Sequence, residues 1–234
     1  MVYVKNTKGV GYSDPGFLEH FIWILLGLAT ATVLYCVIFR RDASIPFAEG
    51  RRWGAYAIFM TPIVILFAVG MVMMFKASWT FFAPIVATLF VGIGEEIAFR
   101  QVLFGALLKR SAHQGRTVVG AVLVSALAFS ALHAVNVLGG ESVRKVAIQM
   151  VLTFLAGILF AVLYLQTKSL LALILFHWLW DAVTFFGLEK TYSWLPLVMV
   201  LLTVLQSVIG LVLLLRYRTV KAQSVLDPMP AHSN

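Results

Sequence analysis

The sequence predicts an all-α, polytopic transmembrane helical bundle of about seven spans. Three observations carry this. Apolar residues make up 61% of the 234 and charged residues only 12%, a balance unlike that of a water-soluble domain. The mean hydropathy is +0.94. The apolar residues also fall into runs of spanning length, which takes about 20 residues at a rise of about 1.5 Å each.

In chain order, residues 1–20 form a polar segment of mixed charge, with Lys5, Lys8, Asp14 and Glu19. The first run, 21–39, is long enough to span and has no small-residue cleavage site behind it, so it reads as a retained helix. Further runs follow at 53–75, 79–108, 118–138, 146–166, 170–187 and 194–215, separated by short polar joints at 40–44, 109–116 and 139–145. None of these joints is long enough for a soluble domain. The third run is longer than a span needs and contains Pro84, which predicts an interfacial piece breaking into a membrane helix near Ala83. These runs define a membrane domain over 21–216. Beyond it the chain turns basic (Arg216, Arg218, Lys221) and loses periodicity, so 217–234 reads as a disordered tail.

The net charge of +8 does not point to nucleic acid. The basic residues cluster in the joints rather than along one polar face, which suits lipid headgroups. One side collects Arg40, Arg41, Arg51, Arg52, Lys109, Arg110, Arg116, Lys168, Arg216, Arg218 and Lys221, a total of 11. The other collects Lys5, Lys8, Lys76, Arg144, Lys145 and Lys190, a total of 6. The positive-inside rule then places the C-terminus in the cytoplasm and the N-terminus outside, in a multi-pass protein of the cell membrane. The lone cysteine, Cys36, makes no internal disulfide.

Ionisable side chains inside apolar runs are functional-site hypotheses, because each costs roughly 2.5–3.5 kcal/mol to insert. Here Glu95, Glu96, Arg100 and Asp181 lie inside predicted spans, with His133 and His177. Unpaired, the four charges cost on the order of 10 kcal/mol, comparable with a whole domain's net stability. Glu96 and Arg100, four residues apart on one helical face, can neutralise each other. Glu95 projects about 100° away and is left free for general-base chemistry. Gly92 and Gly94 just before it allow a helix or a water close to the backbone. His177 with Asp181, and Phe129 with His133, repeat the four-residue interval, so three helices can converge acid and imidazole groups on one interior pocket.

The stretches GluGluIleAlaPheArg (95–100), PheSerAlaLeuHis (129–133) and HisTrpLeuTrpAsp (177–181) resemble, in order, the EExxxR, FxxxH and HxxxN/D motifs of the CAAX-protease and bacteriocin-processing family, also called the Abi family of intramembrane endopeptidases. The similarity covers about 83–184, the expected catalytic core. It implies that Glu95 and His133 activate a water against the scissile carbonyl. His177 and Asp181 would stabilise the oxyanion, while Glu96 and Arg100 hold helix geometry and Phe129 packs around the pocket. Where many members have Asn, this chain has Asp181, which donates a hydrogen bond only when protonated. It can instead orient His177 or help bind a metal. No metal or other cofactor is needed for the glutamate mechanism; the alternative is a zinc set of Glu95, His133, His177 and Asp181.

Elsewhere, His20, His113 and His232 lie at span edges or in the tail and read as solvated. Asn136 either faces the pocket or caps its helix before Gly139, and Trp178 and Trp180 read as pocket walls or interface anchors. The expected partners are membrane lipids and a membrane-associated or lipidated peptide substrate, with no nucleic acid; the oligomeric state is not encoded in any readable signal. Two other functions compete with proteolysis. One is a catalytically idle immunity or scaffold protein. The other is a proton-coupled transporter, against which stands the lack of internal symmetry between the halves.

Overall fold

The computed structural model describes residues 6–10, 16–186 and 192–226. Among these, helices account for every regular element: α1 (Phe17–Ile38), α2 (Gly54–Met73), α3 (Trp79–Glu96), a π-helical stretch (Ile97–Phe104), α4 (Gly105–His113), α5 (Val118–Leu132), α6 (Val143–Thr167), α7 (Leu170–Phe185) and α8 (Leu195–Arg216). Six helices or continuous helical runs are long and apolar enough to cross a bilayer, and α7 is a seventh, shorter apolar helix. The chain is therefore an all-α polytopic bundle, as its apolar runs predict. The end of the sixth run, at Gly187, lies outside the described residues.

In lipid the hydrophobic effect does not drive helices together, so close packing between backbones must do so, and small residues permit it. Each principal helix pair has a glycine at its contact. A Cβ on Gly94 would sit 3.7 Å from Ala29 Cα (α3 on α1), one on Gly157 3.0 Å from Ala126 Cα (α6 on α5), and one on Gly210 3.3 Å from Leu159 Cα (α8 on α6). At Gly92 the approach is to backbone: a Cβ there would stand 3.2 Å from Ile174 O and 3.3 Å from Trp178 N, which fixes α7 against α3.

Three expectations change. No break occurs near Ala83, because α3 is helical from Trp79 onward. Pro84 removes only one bond, within the first two turns, and the helix tolerates it. The irregularity comes later, at the π-helical stretch directly after Glu96. Second, α1 begins at Phe17, and Phe17 and Leu18 are already buried. Third, residues 217–226 are not a loose tail. Ala222 and Leu226 are buried, Ala222–Val225 forms a 3₁₀ turn, and Leu226 bridges Phe47 while Lys221 bridges Thr117. The rest of the expected tail, 227–234, lies outside the described residues.

Those contacts belong to a cap that ties together the joints at one end of the bundle. Ala48 N donates to Val225 O (3.1 Å), Ala222 N to Arg116 O (2.9 Å) and Arg52 N to Gln166 O (2.8 Å). Side chains add to it: Gln101 Nε2 donates to Ala43 O (2.7 Å), Lys109 Nζ to Asp42 O (2.6 Å), and Lys168 Nζ to Glu49 O (2.8 Å) and to Ala48 O. The joints that carry most of the lysine and arginine thus share one end, as alternation of spans requires.

Candidate active site

Glu95 and Glu96 end α3, and their environments differ sharply. The side chains of Glu96 and Arg100 are wholly buried, with Arg100 Nε 3.2 Å from Glu96 Oε2. The guanidinium lies between two rings, its Cζ 4.5 Å from the Phe129 centroid and 5.5 Å from that of Phe160. Its terminal nitrogens have no hydrogen-bond acceptor among the described residues. Ring faces cover them instead, and a desolvated contact of this kind is worth about 2 kcal/mol. Phe129 therefore does more than wall a pocket; it caps the cation that neutralises Glu96.

Glu96 has a second role that helical spacing did not reveal. His177 Nδ1 donates to Glu96 Oε1 at 2.8 Å; a carboxylate only accepts, so the proton sits on Nδ1. That hydrogen bond fixes the ring plane and directs Nε2 to the other carboxylates, Asp181 Oδ2 at 3.5 Å and Glu95 Oε2 at 3.8 Å. A carboxylate orienting a histidine is the arrangement that metal and hydrolase sites use to set tautomer and direction. The Glu95 and Asp181 side chains stay partly exposed, 22% and 27%, onto a cavity of about 800 Å³.

His133 ends α5, where the α-helix tightens into a 3₁₀ turn (His133–Val137). Its Nδ1 lies 3.0 Å from the Phe129 carbonyl oxygen, which it caps as a donor, leaving Nε2 free. No hydrogen bond or ion pair joins His133 to Glu95 among the described residues; both line the cavity, along with His177 and Asp181. The expected convergence of three helices is present, and the direct partner of Glu95 is His177. Asn136, left between two readings, lines the cavity and donates from Nδ2 to Gln149 Oε1 (2.9 Å). Trp180 also lines it. Trp178 does not; its Nε1 donates to Ile85 O (2.8 Å), tying α7 to α3.

Sequence reasoning missed the wall that α6 contributes. Gln149, Thr153, Ala156 and Phe160 line the cavity, spaced four, three and four residues apart, so they share one helical face. Two polar residues recurring at that interval inside an apolar run were a readable signal. The alternative zinc set is not assembled: among the described residues, no group of three His, Cys, Asp or Glu side chains is disposed to hold a metal ion.

Residues 77–183 match the family model described as "Type II CAAX prenyl endopeptidase Rce1-like", a range that brackets all three motifs. No curated protein and no solved structure matches the chain.

Proposed function

From the premise that this chain belongs to the type II CAAX prenyl endopeptidase Rce1-like family over residues 77–183, and so is a CAAX-protease-like intramembrane peptidase, we propose that Glu95 is its general base. The observation that carries this reading is the division of labour between adjacent acids. Glu96 is spent on Arg100 and His177, while Glu95 keeps an oxygen, Oε2, without a hydrogen-bond donor beside the cavity.

Glu95 takes one proton from a water held between it and the free Nε2 of His133, and the water oxygen bonds to the scissile carbonyl carbon. The carbonyl oxygen becomes an oxyanion, which His177 Nε2–H meets as donor. Glu96 at Nδ1 and Asp181 beside Nε2 favour a ring carrying both protons. Asp181 thereby acts through His177 and need not donate itself. On collapse the C–N bond breaks and the leaving amine receives the proton from Glu95, so one water is added and the base is regenerated. General-base assistance contributes about 10²–10⁴ to such a step and a preorganised oxyanion donor about 10²–10³.

The cavity walls are apolar, with Phe17, Leu18, Phe21, Leu25 and Leu28 from α1 facing Leu132 and Val135. They suit the flank of a membrane-associated or lipidated peptide better than a soluble one. The C-terminus faces the cytoplasm, by the charge asymmetry of the joints. The biochemical test uses purified protein in lipid discs and quenched fluorescent peptides, one set prenylated and one unmodified. Cleavage by the native chain that disappears in Glu95→Gln and His177→Ala supports the mechanism; equal cleavage by Glu95→Gln overturns it.

A further inference from the structure

We infer that the cavity opens only toward the end of the bundle opposite the basic cap, so that the bond to be cleaved reaches Glu95 from the non-cytoplasmic side of the membrane. The inference rests on the peptidase reading for its meaning, but its geometry stands apart from the chemistry.

The cavity has a buried floor and an exposed rim. Phe129, Phe160 and His177 at its floor are buried, whereas Leu132, Val135, Leu138, Thr184 and Phe185 at its edge are exposed. Leu138 follows the end of α5, and Thr184 and Phe185 close α7. Those helix ends adjoin the 139–142 joint and the segment after Phe185, at the end remote from the cap. In the other direction there is no way through. Below Glu95 come Arg100, Phe104, Leu108, Val118 and Val122, none with any accessible surface. Beyond them the interlinked cap of residues 43–52, 115–118 and 220–226 closes the bundle.

Charge then gives this axis a direction. The capped end holds 11 of the 17 joint lysines and arginines named above, and the open end 6. The bias acts through short joints, which is all this chain has between its spans. A cytoplasmic cap puts the mouth outside. The substrate class that follows is a polypeptide already carried across or anchored in the membrane, with its cleavage segment on the outer flank. A cytoplasmic, freshly prenylated tail would have to cross the packed half of the bundle to reach Glu95. The exposed apolar residues at the rim allow such a segment to slide in from the lipid between α1 and the end of α5.

The test is labelling with a membrane-impermeant maleimide, in a full-length Cys36→Ser background carrying one cysteine at a time. Leu138→Cys and Thr184→Cys report the rim, and Gln114→Cys reports the cap. Leu138 is 62% exposed, so its replacement leaves the packing intact, and Thr184 gives an independent reading at the same end. In right-side-out vesicles both rim cysteines should label without permeabilisation and Gln114→Cys should not; inside-out vesicles should give the reverse. Rim cysteines that label only from the cytoplasmic face overturn the inference. That outcome would leave the peptidase reading standing, since labelling does not depend on cleavage, and the Glu95→Gln assay judges that reading separately.

Discussion

His177 hangs from Glu96 by a 2.8 Å hydrogen bond at Nδ1 while its Nε2 faces Glu95 at 3.8 Å, so two adjacent acids on one helix hold opposite edges of a single imidazole. The first acid after the glycines borders the cavity, and the second anchors the ring from the core. Both contacts depend on α7 lying close enough to α3 for a histidine to span the gap.

Removing the anchor should cost stability as well as activity. Glu96→Ala leaves Arg100 buried without its counter-charge and His177 without its acceptor, and breaking a buried pair costs about 3–5 kcal/mol. The thermal midpoint of the detergent-solubilised protein should fall well below that of Glu96→Gln, which keeps an oxygen for His177 Nδ1. Equal midpoints for the two variants would contradict the dual role.

Arg100→Lys preserves charge but should not preserve the site. An ammonium cannot lie flat between Phe129 and Phe160 as the guanidinium does, and the two cations are not interchangeable at stacked positions. Lower thermal stability and reduced turnover are expected together, and Phe160→Leu should reproduce part of the loss. Native behaviour in Arg100→Lys would mean that the ring contacts carry nothing.

Gly92 controls the spacing of α3 and α7. A methyl there would stand 3.2 Å from Ile174 O and 3.3 Å from Trp178 N, tighter than backbone tolerates without a shift. Gly92→Ala should displace His177 by a few tenths of an ångström, and Gly92→Val by more. A misplacement of about 1 Å costs on the order of 10² in rate. The expected sign is a fall in kcat graded from Ala to Val, with Gly94→Ala, whose nearest neighbour is 3.7 Å away, close to native. The reverse order would overturn the assignment.

Chelation separates the two chemistries that the acid and imidazole residue types allow. Exhaustive treatment with a zinc chelator should leave peptide cleavage unchanged. Activity that is lost on chelation and restored by stoichiometric zinc would point to a metal-dependent reaction.

Much of this was legible in the sequence because the bilayer imposes simple rules. Spans follow from apolar length, and buried charges stand out against them, so Glu95, Glu96, Arg100, His133, His177 and Asp181 could all be identified before any coordinates. The i,i+4 rule paired Glu96 with Arg100 correctly, since both partners sit on one element. It could not find the Glu96–His177 bond, whose partners lie 81 positions apart and meet only because Gly92 lets two helices close. The same limit explains why Glu95 was matched with His133 when its contact is His177. The π-helical turn after Glu96 was invisible for another reason: it widens a helix whose sequence reads as ordinary, and such turns often accompany functional sites. The ordering of 217–226 was missed because a few apolar residues among polar ones, Val220, Ala222 and Leu226, look aperiodic until the cap they pack into is formed.

The account stands or falls on Glu95 as the group that activates water. The most direct measurement compares peptide termini among membrane and secreted polypeptides from cells carrying the native chain and from cells carrying Glu95→Gln, expressed at equal level. A discrete set of new termini should vanish in the variant, with their precursors accumulating. Identical termini in both, with native chain demonstrably present in the membrane, would contradict the claim.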